Sequence, residues 1–165
     1  DLRDELLKNY PFLKELENDV LEIILKRVLV SNYERGQNVF SNKVSCIGFS
    51  FILEGRLRIY KIGDDGKEVT LYRIGKGDSC FNTILCALTD SDEVSFADVE
   101  ENAIIAILPM DLFKRYLINS NSFLKYMFRN LYNKFENTNN AFENNKNEII
   151  KLIKEKKNTN ADIAS

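Results

Sequence analysis

Apolar residues at three- to four-residue intervals open the chain. Leu2, Leu6, Leu7, Leu13, Leu16, Val20, Ile23, Ile24 and Val28 follow helical spacing, interrupted by Pro11. The pattern predicts a pair of short amphipathic helices over residues 1–29. From residue 30 to 110 the period shortens to runs rich in Val, Ile, Tyr and Phe. Turn-formers separate them at Arg35-Gly36, Glu54-Gly55, Asp64-Asp65-Gly66 and Gly75-Lys76-Gly77. Such punctuation predicts an antiparallel sandwich or barrel. Within residues 51–60, Leu57 and Ile59 are expected to face one way and Arg56, Arg58 and Tyr60 the other. The Asp-Asp-Gly turn then leads into a hairpin partner over residues 68–74.

After Pro109 the helical period returns. A short helix should reach Leu117, and residues 119–122 offer a capping region before a long helix. On that helix Leu124, Phe128, Leu131, Phe135, Thr138 and Phe142 alternate four- and three-residue steps, which is a heptad seam. The seam either packs on the chain's own barrel or joins a second copy into a homodimer. Phe123, Tyr126 and Met127 form another apolar stripe that can serve the barrel, which leaves the seam for self-association. Residues 137–147, rich in Asn, read as a hinge or frayed end. A separate short amphipathic helix over 148–157 and a polar tail follow.

Composition narrows the chemistry. The 165 residues suit one domain of roughly 150 residues with a remainder. A 44% hydrophobic content with only 7 Gly and 2 Pro excludes a disordered or linker-dominated chain. The net charge of -2 supplies no global positive field, so contact with nucleic acid would need a local element. The absence of His removes the Ser-His-Asp and Cys-His arrangements, the usual zinc-hydrolase ligand sets and a proximal-histidine haem. No enzyme, metal site or cofactor is therefore expected. Three cysteines, Cys46, Cys80 and Cys86, are too few for a disulfide scaffold and suit a reducing, cytoplasmic setting. No apolar run approaches the ~20 residues that would cross a membrane. A regulatory thiol should be partly exposed and near positive charge. Cys80, beside Ser79 and close to Lys76, fits that better than Cys86 within the apolar run 84–88. Cys46 and Cys86 also read as small core residues.

Several motifs recur in a fixed order: Tyr10-Pro11-Phe12-Leu13, the strand-turn run 33–40, the run from Cys46 through Gly48 and Gly55 to Tyr60, Asp65-Gly66 with Glu68 and Leu71-Tyr72, and Gly75-Lys76-Gly77-Asp78. Together they resemble the Crp/Fnr family of bacterial transcription regulators. The resemblance implies a mainly β fold with flanking helices, a cyclic-nucleotide-binding-like double-stranded β-helix (a jelly roll or β-roll) followed by a long dimerisation helix. Residues 30–110 would be the effector-sensing roll, 111–143 the dimerisation region and 144–165 the incomplete start of a helix-turn-helix. Thr159 would cap the first motif helix, with Ile163 and Ala164 facing the recognition helix. DNA would then be read through a domain continuing beyond residue 165.

Cyclic-nucleotide sensors of this fold place a Gly-Glu pair on the ribose and an Arg-Ser pair on the phosphate. Counted from the corner Gly77-Asp78, those positions fall on Phe81 and Asn82 and near Val94-Ser95. Both charged anchors are missing, and a buried phosphate without a cation has nothing to offset its desolvation. The expected pocket comprises Gly77, Asp78, Cys80, Phe81, Asn82, Thr83, Val94, Ser95 and Phe96. It would take a small effector other than cyclic AMP or cyclic GMP, and the run 80–86 suggests an apolar pocket. Two further readings stay open: a stand-alone regulatory module without DNA binding, and a redox sensor acting through Cys80, Cys86 or Cys46.

Overall fold

Pro11 divides the N-terminal apolar stripe as its spacing predicts. In the computed structural model, which describes residues 1–39, 47–89 and 95–164, helix α1 (Leu2–Asn9) is capped by Asp1, whose carboxylate accepts from the Arg3 amide at 3.1 Å. Pro11 then opens a 3-10 turn, Pro11–Glu15, at a position where its missing N–H costs nothing. Helix α2 (Asn18–Arg27) follows and buries Leu21 and Ile24. Two compact units result, Asp1–Phe128 and Arg129–Ser165.

The first unit is organised by one antiparallel sheet. Strands β1 (Leu29–Tyr33), β2 (Gly48–Ile62), β3 (Glu68–Ile74) and β4 (Phe96–Pro109) lie in the order β1-β4-β2-β3. β2 and β4 are the long central pair, bent by register shifts between Ile52 and Leu57. Gly55 sits at this bend with φ +87, and a Cβ there would come within 2.7 Å of the Ala103 Cα. Only glycine combines that conformation with that approach. The β2–β3 hairpin turns at Gly66, φ +78, as the Asp-Asp-Gly signal predicts.

The facing expected of this hairpin holds, with Tyr60 on the side of Arg58 and opposite Leu57 and Ile59. Leu57 and Ile59 are buried as expected, but Tyr60 is buried too. A bulge lies between Ile59 and Tyr60. The Tyr60 ring is covered by stacking on Phe96 at 5.5 Å and by the Arg58 guanidinium 4.2 Å from its centroid.

Two apolar clusters fill the unit. The larger joins α1, the 3-10 turn, α2 and the segment after β4 through Tyr10, Phe12, Phe49, Phe51, Phe113 and Phe123. The smaller lies within the sheet and comprises Ile52, Leu57, Ile59, Ile74, Cys80, Ala97, Val99, Ala103 and Ile105. Helix α3 (Phe81–Thr89) follows the Gly75–Gly77 corner. After β4 a short turn, α4 (Met110–Leu112), continues as a π-helical turn, Phe113–Leu117, closed by the Ile118 amide on the Phe113 carbonyl at 3.0 Å.

Helix α5 (Asn121–Ala164) corrects the reading of the chain's last third. Ser120, within the expected capping region, accepts from the Phe123 amide at 3.3 Å. Phe123 is fully buried, with Tyr126 and Met127 packed beside it, so this stripe does serve the barrel. Residues 137–147 form neither hinge nor frayed end, and 148–157 are not a separate helix. Thr159 caps nothing: its hydroxyl donates to the Glu155 carbonyl at 3.1 Å inside the helix. Asparagine costs only about 0.7 kcal/mol or less per residue against alanine, so a helix already nucleated runs through it. Among the described residues no helix is long and apolar enough to cross a membrane.

Candidate functional site

The corner between β3 and α3 is built by backbone geometry first. Gly77 adopts φ +79 beside the Asn9 carbonyl, and a Cβ there would lie 2.9 Å from that oxygen. Asp78 closes the turn by accepting from the Gly75 amide at 2.9 Å. Two tyrosines then grip the corner from opposite ends of the first unit. The Tyr10 hydroxyl donates to the Asp78 carbonyl at 2.7 Å and accepts from the Ile52 amide at 2.6 Å. The Tyr126 hydroxyl, near the start of α5, donates to the Gly77 carbonyl at 2.7 Å. Burial pushes both phenols above their ordinary range.

A third tyrosine occupies the corner from within. Tyr72, on β3, accepts from the Phe81 amide at 3.0 Å, and its ring meets Phe81 edge-on at 5.3 Å. Its hydroxyl also lies 3.7 Å from the Cys80 sulfur. Burial raises the Tyr72 phenol strongly, the Cys80 thiol adds to the shift, and the Asn82 and Phe81 amides oppose it. A helix N-terminus is where an anion would find free N–H groups. Here a neutral hydroxyl oxygen of the chain itself takes the first of them.

The residues expected to form the pocket divide into groups. Cys80, Ser79 and Thr83 are buried, while Phe81 and Asn82 are half-buried. The Asn82 Nδ2 is shielded from solvent and has no hydrogen-bond partner among the described residues. Ser95 is buried at the start of β4. Phe96 is not part of the cluster around Cys80. Strand alternation puts it on the other face, stacked on Tyr60, and sends its neighbour Ala97 into the cluster instead. Val94 lies outside the described residues.

The thiols also differ from expectation. Cys80 is free but only 3% exposed, so it is not the partly exposed thiol its neighbourhood suggested. Its side chain follows the strand-to-helix turn into the apolar cluster, away from Lys76, which is exposed. Cys86, on the buried face of α3, is disulfide-bonded. Cys46 lies outside the described residues.

Among the described residues, the arginines on the sheet are engaged by carboxylates. Arg58 donates to Glu68 at 2.6 Å and approaches Asp98 at 3.4 Å. Arg73 donates to Glu100 at 2.7 Å, and Arg56 lies 3.6 Å from Glu101. A cleft of about 550 Å³ does open elsewhere on the unit, beside Tyr33, Glu34, Glu54 and Asn102. Two carboxylates in its wall make it unfit for an anion. Among the described residues no three His, Cys, Asp or Glu side chains gather around a possible metal position.

Tyr10, Tyr72 and Tyr126 carry this site, and sequence reasoning gave them no role there. Tyr72 stood within the Leu71-Tyr72 motif and Tyr126 within the barrel stripe. Only the fold brings their hydroxyls to the same corner. Of the seam residues, Leu124 is half-buried. Phe128 is 63% exposed, and Leu131, Phe135 and Phe142 are exposed as well.

Residues 30–120 match the family described as cyclic nucleotide-binding domain. No curated protein matches the chain. Among solved structures, a protein described as a transcriptional regulator of the Crp/Fnr family from Eubacterium rectale superposes with a TM-score of 0.69 at 20% identity, covering 82% of this chain and 63% of its own. DNR from Pseudomonas aeruginosa superposes with a TM-score of 0.63 at 16% identity, covering 85% and 61%. A regulatory subunit of a cAMP-independent protein kinase A from Trypanosoma brucei, as a triple variant bound to cAMP, superposes with a TM-score of 0.59 at 21% identity, covering 77% and 51%. The chain thus spans less than two thirds of each of these proteins, and at such identities the likeness is one of fold.

Proposed function

The chain belongs to the family of cyclic nucleotide-binding domains, and from that premise we propose that it is the effector-sensing and dimerisation part of a Crp/Fnr-type transcription regulator whose signal is not an ordinary cyclic nucleotide. The observation that carries the reading is Tyr72. Its hydroxyl holds the Phe81 amide where a phosphate would need free donors, and the cassette supplies no arginine to replace it. The Trypanosoma brucei relative supports the same logic. It is described as cAMP-independent, and the form bound to cAMP carries three substitutions, one of which introduces an arginine.

The route from sensor to output runs through the corner. Tyr126, three residues from the buried Phe123 anchor, fastens the start of α5 to the Gly77 carbonyl. An effector that repacks Tyr72, Cys80 or Phe81 would move the corner and with it α5. It shifts the balance between two states only by its difference in affinity for them. Leu124, Phe128, Leu131, Phe135, Thr138 and Phe142 then join two copies, and DNA is read by a domain continuing beyond residue 165. No step in this scheme is enzymatic.

A thermal-shift screen of metabolites, cyclic nucleotides and oxidants on the native chain and on Cys80→Ser tests the reading. Stabilisation by a non-nucleotide effector is the expected result, and strong stabilisation by cyclic AMP would overturn it. A chain that ends at a stop directly after residue 165 would favour the stand-alone module instead. One observation favours the redox reading: Cys86 is disulfide-bonded on the helix that follows the corner. Alkylation and mass spectrometry before and after mild reduction would decide it, since a thermal-shift profile unchanged by reduction removes the thiols from signalling.

A further inference from the structure

Pairing with β4 uses one edge of β1, and the other edge has no partner strand among the described residues. The sheet's second edge strand, β3, is guarded in the usual ways. It carries Glu68 and Arg73 and is deformed by the bulge opposite Ile59 and Tyr60. β1, Leu29-Val30-Ser31-Asn32-Tyr33, has neither charge nor proline, and its register against β4 runs on without a bulge. Leu29 and Val30 are 66% and 49% exposed. A flat, uncharged edge of this kind is a template for one more strand.

The end of β1 opens into the cleft of about 550 Å³, whose wall includes Tyr33, Glu34 and Glu54. Charge there is unbalanced. The other carboxylates on the strands are each met by an arginine: Glu68 and Asp98 by Arg58, Glu100 by Arg73 and Glu101 by Arg56. Among the described residues Glu34 and Glu54 have no ion-pair partner. In the same wall the side-chain oxygens of Gln37 and Asn102 accept from the Glu34 and Arg35 amides at 2.8 and 2.9 Å. The two carboxylates are therefore the acceptors left for a guest, and the Tyr33 ring adds a face on which a guanidinium can lie.

We propose that this edge and this cleft form one docking surface for an extended, arginine-bearing segment of another protein, which adds to β1 as an antiparallel strand and sets its arginine against Glu34 and Glu54. Backbone hydrogen bonds along Leu29–Tyr33 hold the segment, and antiparallel pairing brings its N-terminal end beside Tyr33. The planar fork of arginine suits two carboxylates better than the point charge of lysine. A second copy of β1 does not supply the cation, because that strand carries no basic residue. The surface uses none of the tyrosines at the Gly77 corner, so it stands apart from effector sensing.

Nitrogen-15 NMR titration of the full chain with the acetylated, amidated peptide Arg-Thr-Val-Thr-Val-Thr tests the surface. Amide shifts should concentrate at Leu29–Tyr33. Replacing the peptide's arginine by glutamate should weaken binding at least about tenfold, since like charges would then meet. Glu34→Gln and Glu54→Gln, both at exposed positions, should each weaken it about threefold. Methylating the peptide nitrogens that face β1 should abolish it. No shift at about 5 mM peptide overturns the proposal. Equal binding of the glutamate peptide, or no effect of either substitution, overturns the role of the cleft. Equal binding of the methylated peptide overturns strand addition and leaves a site for small organic cations, which argininamide would then fill alone. Shifts at the same amides on concentrating the chain without peptide give the edge to a second copy and overturn the proposal as well.

Discussion

The Tyr72 hydroxyl accepts the hydrogen bond of the Phe81 backbone amide at 3.0 Å. This contact occupies the first N–H at the start of α3. Removing the hydroxyl leaves a helix N-terminal N–H without its partner, and such a loss costs about 1–3 kcal/mol when the group stays dry. Tyr72→Phe should therefore lower the melting temperature by several degrees. Calorimetry checks this, and an unchanged transition would mean that water replaces the hydroxyl.

Cyclic AMP and cyclic GMP should leave the native chain unmoved. A ligand at about 100 times its dissociation constant adds about 2.7 kcal/mol, which thermal shift detects easily. No measurable shift at millimolar nucleotide is expected.

Alkaline pH should unfold the first unit through its buried phenols. Tyr10, Tyr72 and Tyr126 all have folded-state values raised above the ordinary value of 10, chiefly by burial. Below pH 10 these groups are neutral in both states and contribute no pH dependence. Above it the unfolded chain ionises first, so stability falls as pH rises toward the folded-state values. Ultraviolet titration of the 7 tyrosines should show a late class that ionises only with unfolding. A single early transition for all of them would contradict the burial.

The seam makes a hydrodynamic prediction. Phe128 is 63% exposed and Phe135 is 64% exposed in the chain. Phe128→Asp and Phe135→Asp should leave the fold of one copy intact and shift the sedimenting mass from dimer to monomer. An unchanged mass would sink the seam.

Periodicity was a reliable guide wherever one face of an element is buried. Leu6, Leu13, Ile24 and Val28 went inward, Leu57 and Ile59 lined the sheet, and Phe123 anchored the barrel. It put Tyr60 on the face of Arg58 correctly, but did not foresee that the Phe96 ring and the Arg58 guanidinium bury it there. Composition misled over residues 137–147, since asparagine costs a nucleated helix little per residue and α5 runs through them. At the site, spacing from Gly77 pointed to Cys80 and Phe81, and both meet Tyr72 in the structure. The three tyrosine hydroxyls were not legible, since Tyr10, Tyr72 and Tyr126 meet the corner only through long-range folding. The fate of the thiols depended on a turn that local charge around Cys80 does not describe.

The Tyr10 contacts with Ile52 and Asp78 span 42 and 68 positions along the chain. Contacts of such separation form late, because the chain entropy of closing the loop must be overcome before they reward it. The N-terminal helices can dock only once β2 and the Gly77 turn already exist. Tyr10→Phe should accordingly speed unfolding while leaving the folding rate almost unchanged in stopped-flow chevrons. In kinetic terms this corner should act as the final clasp of the first unit, the part that shuts last when the protein is made and comes undone first when it is stressed.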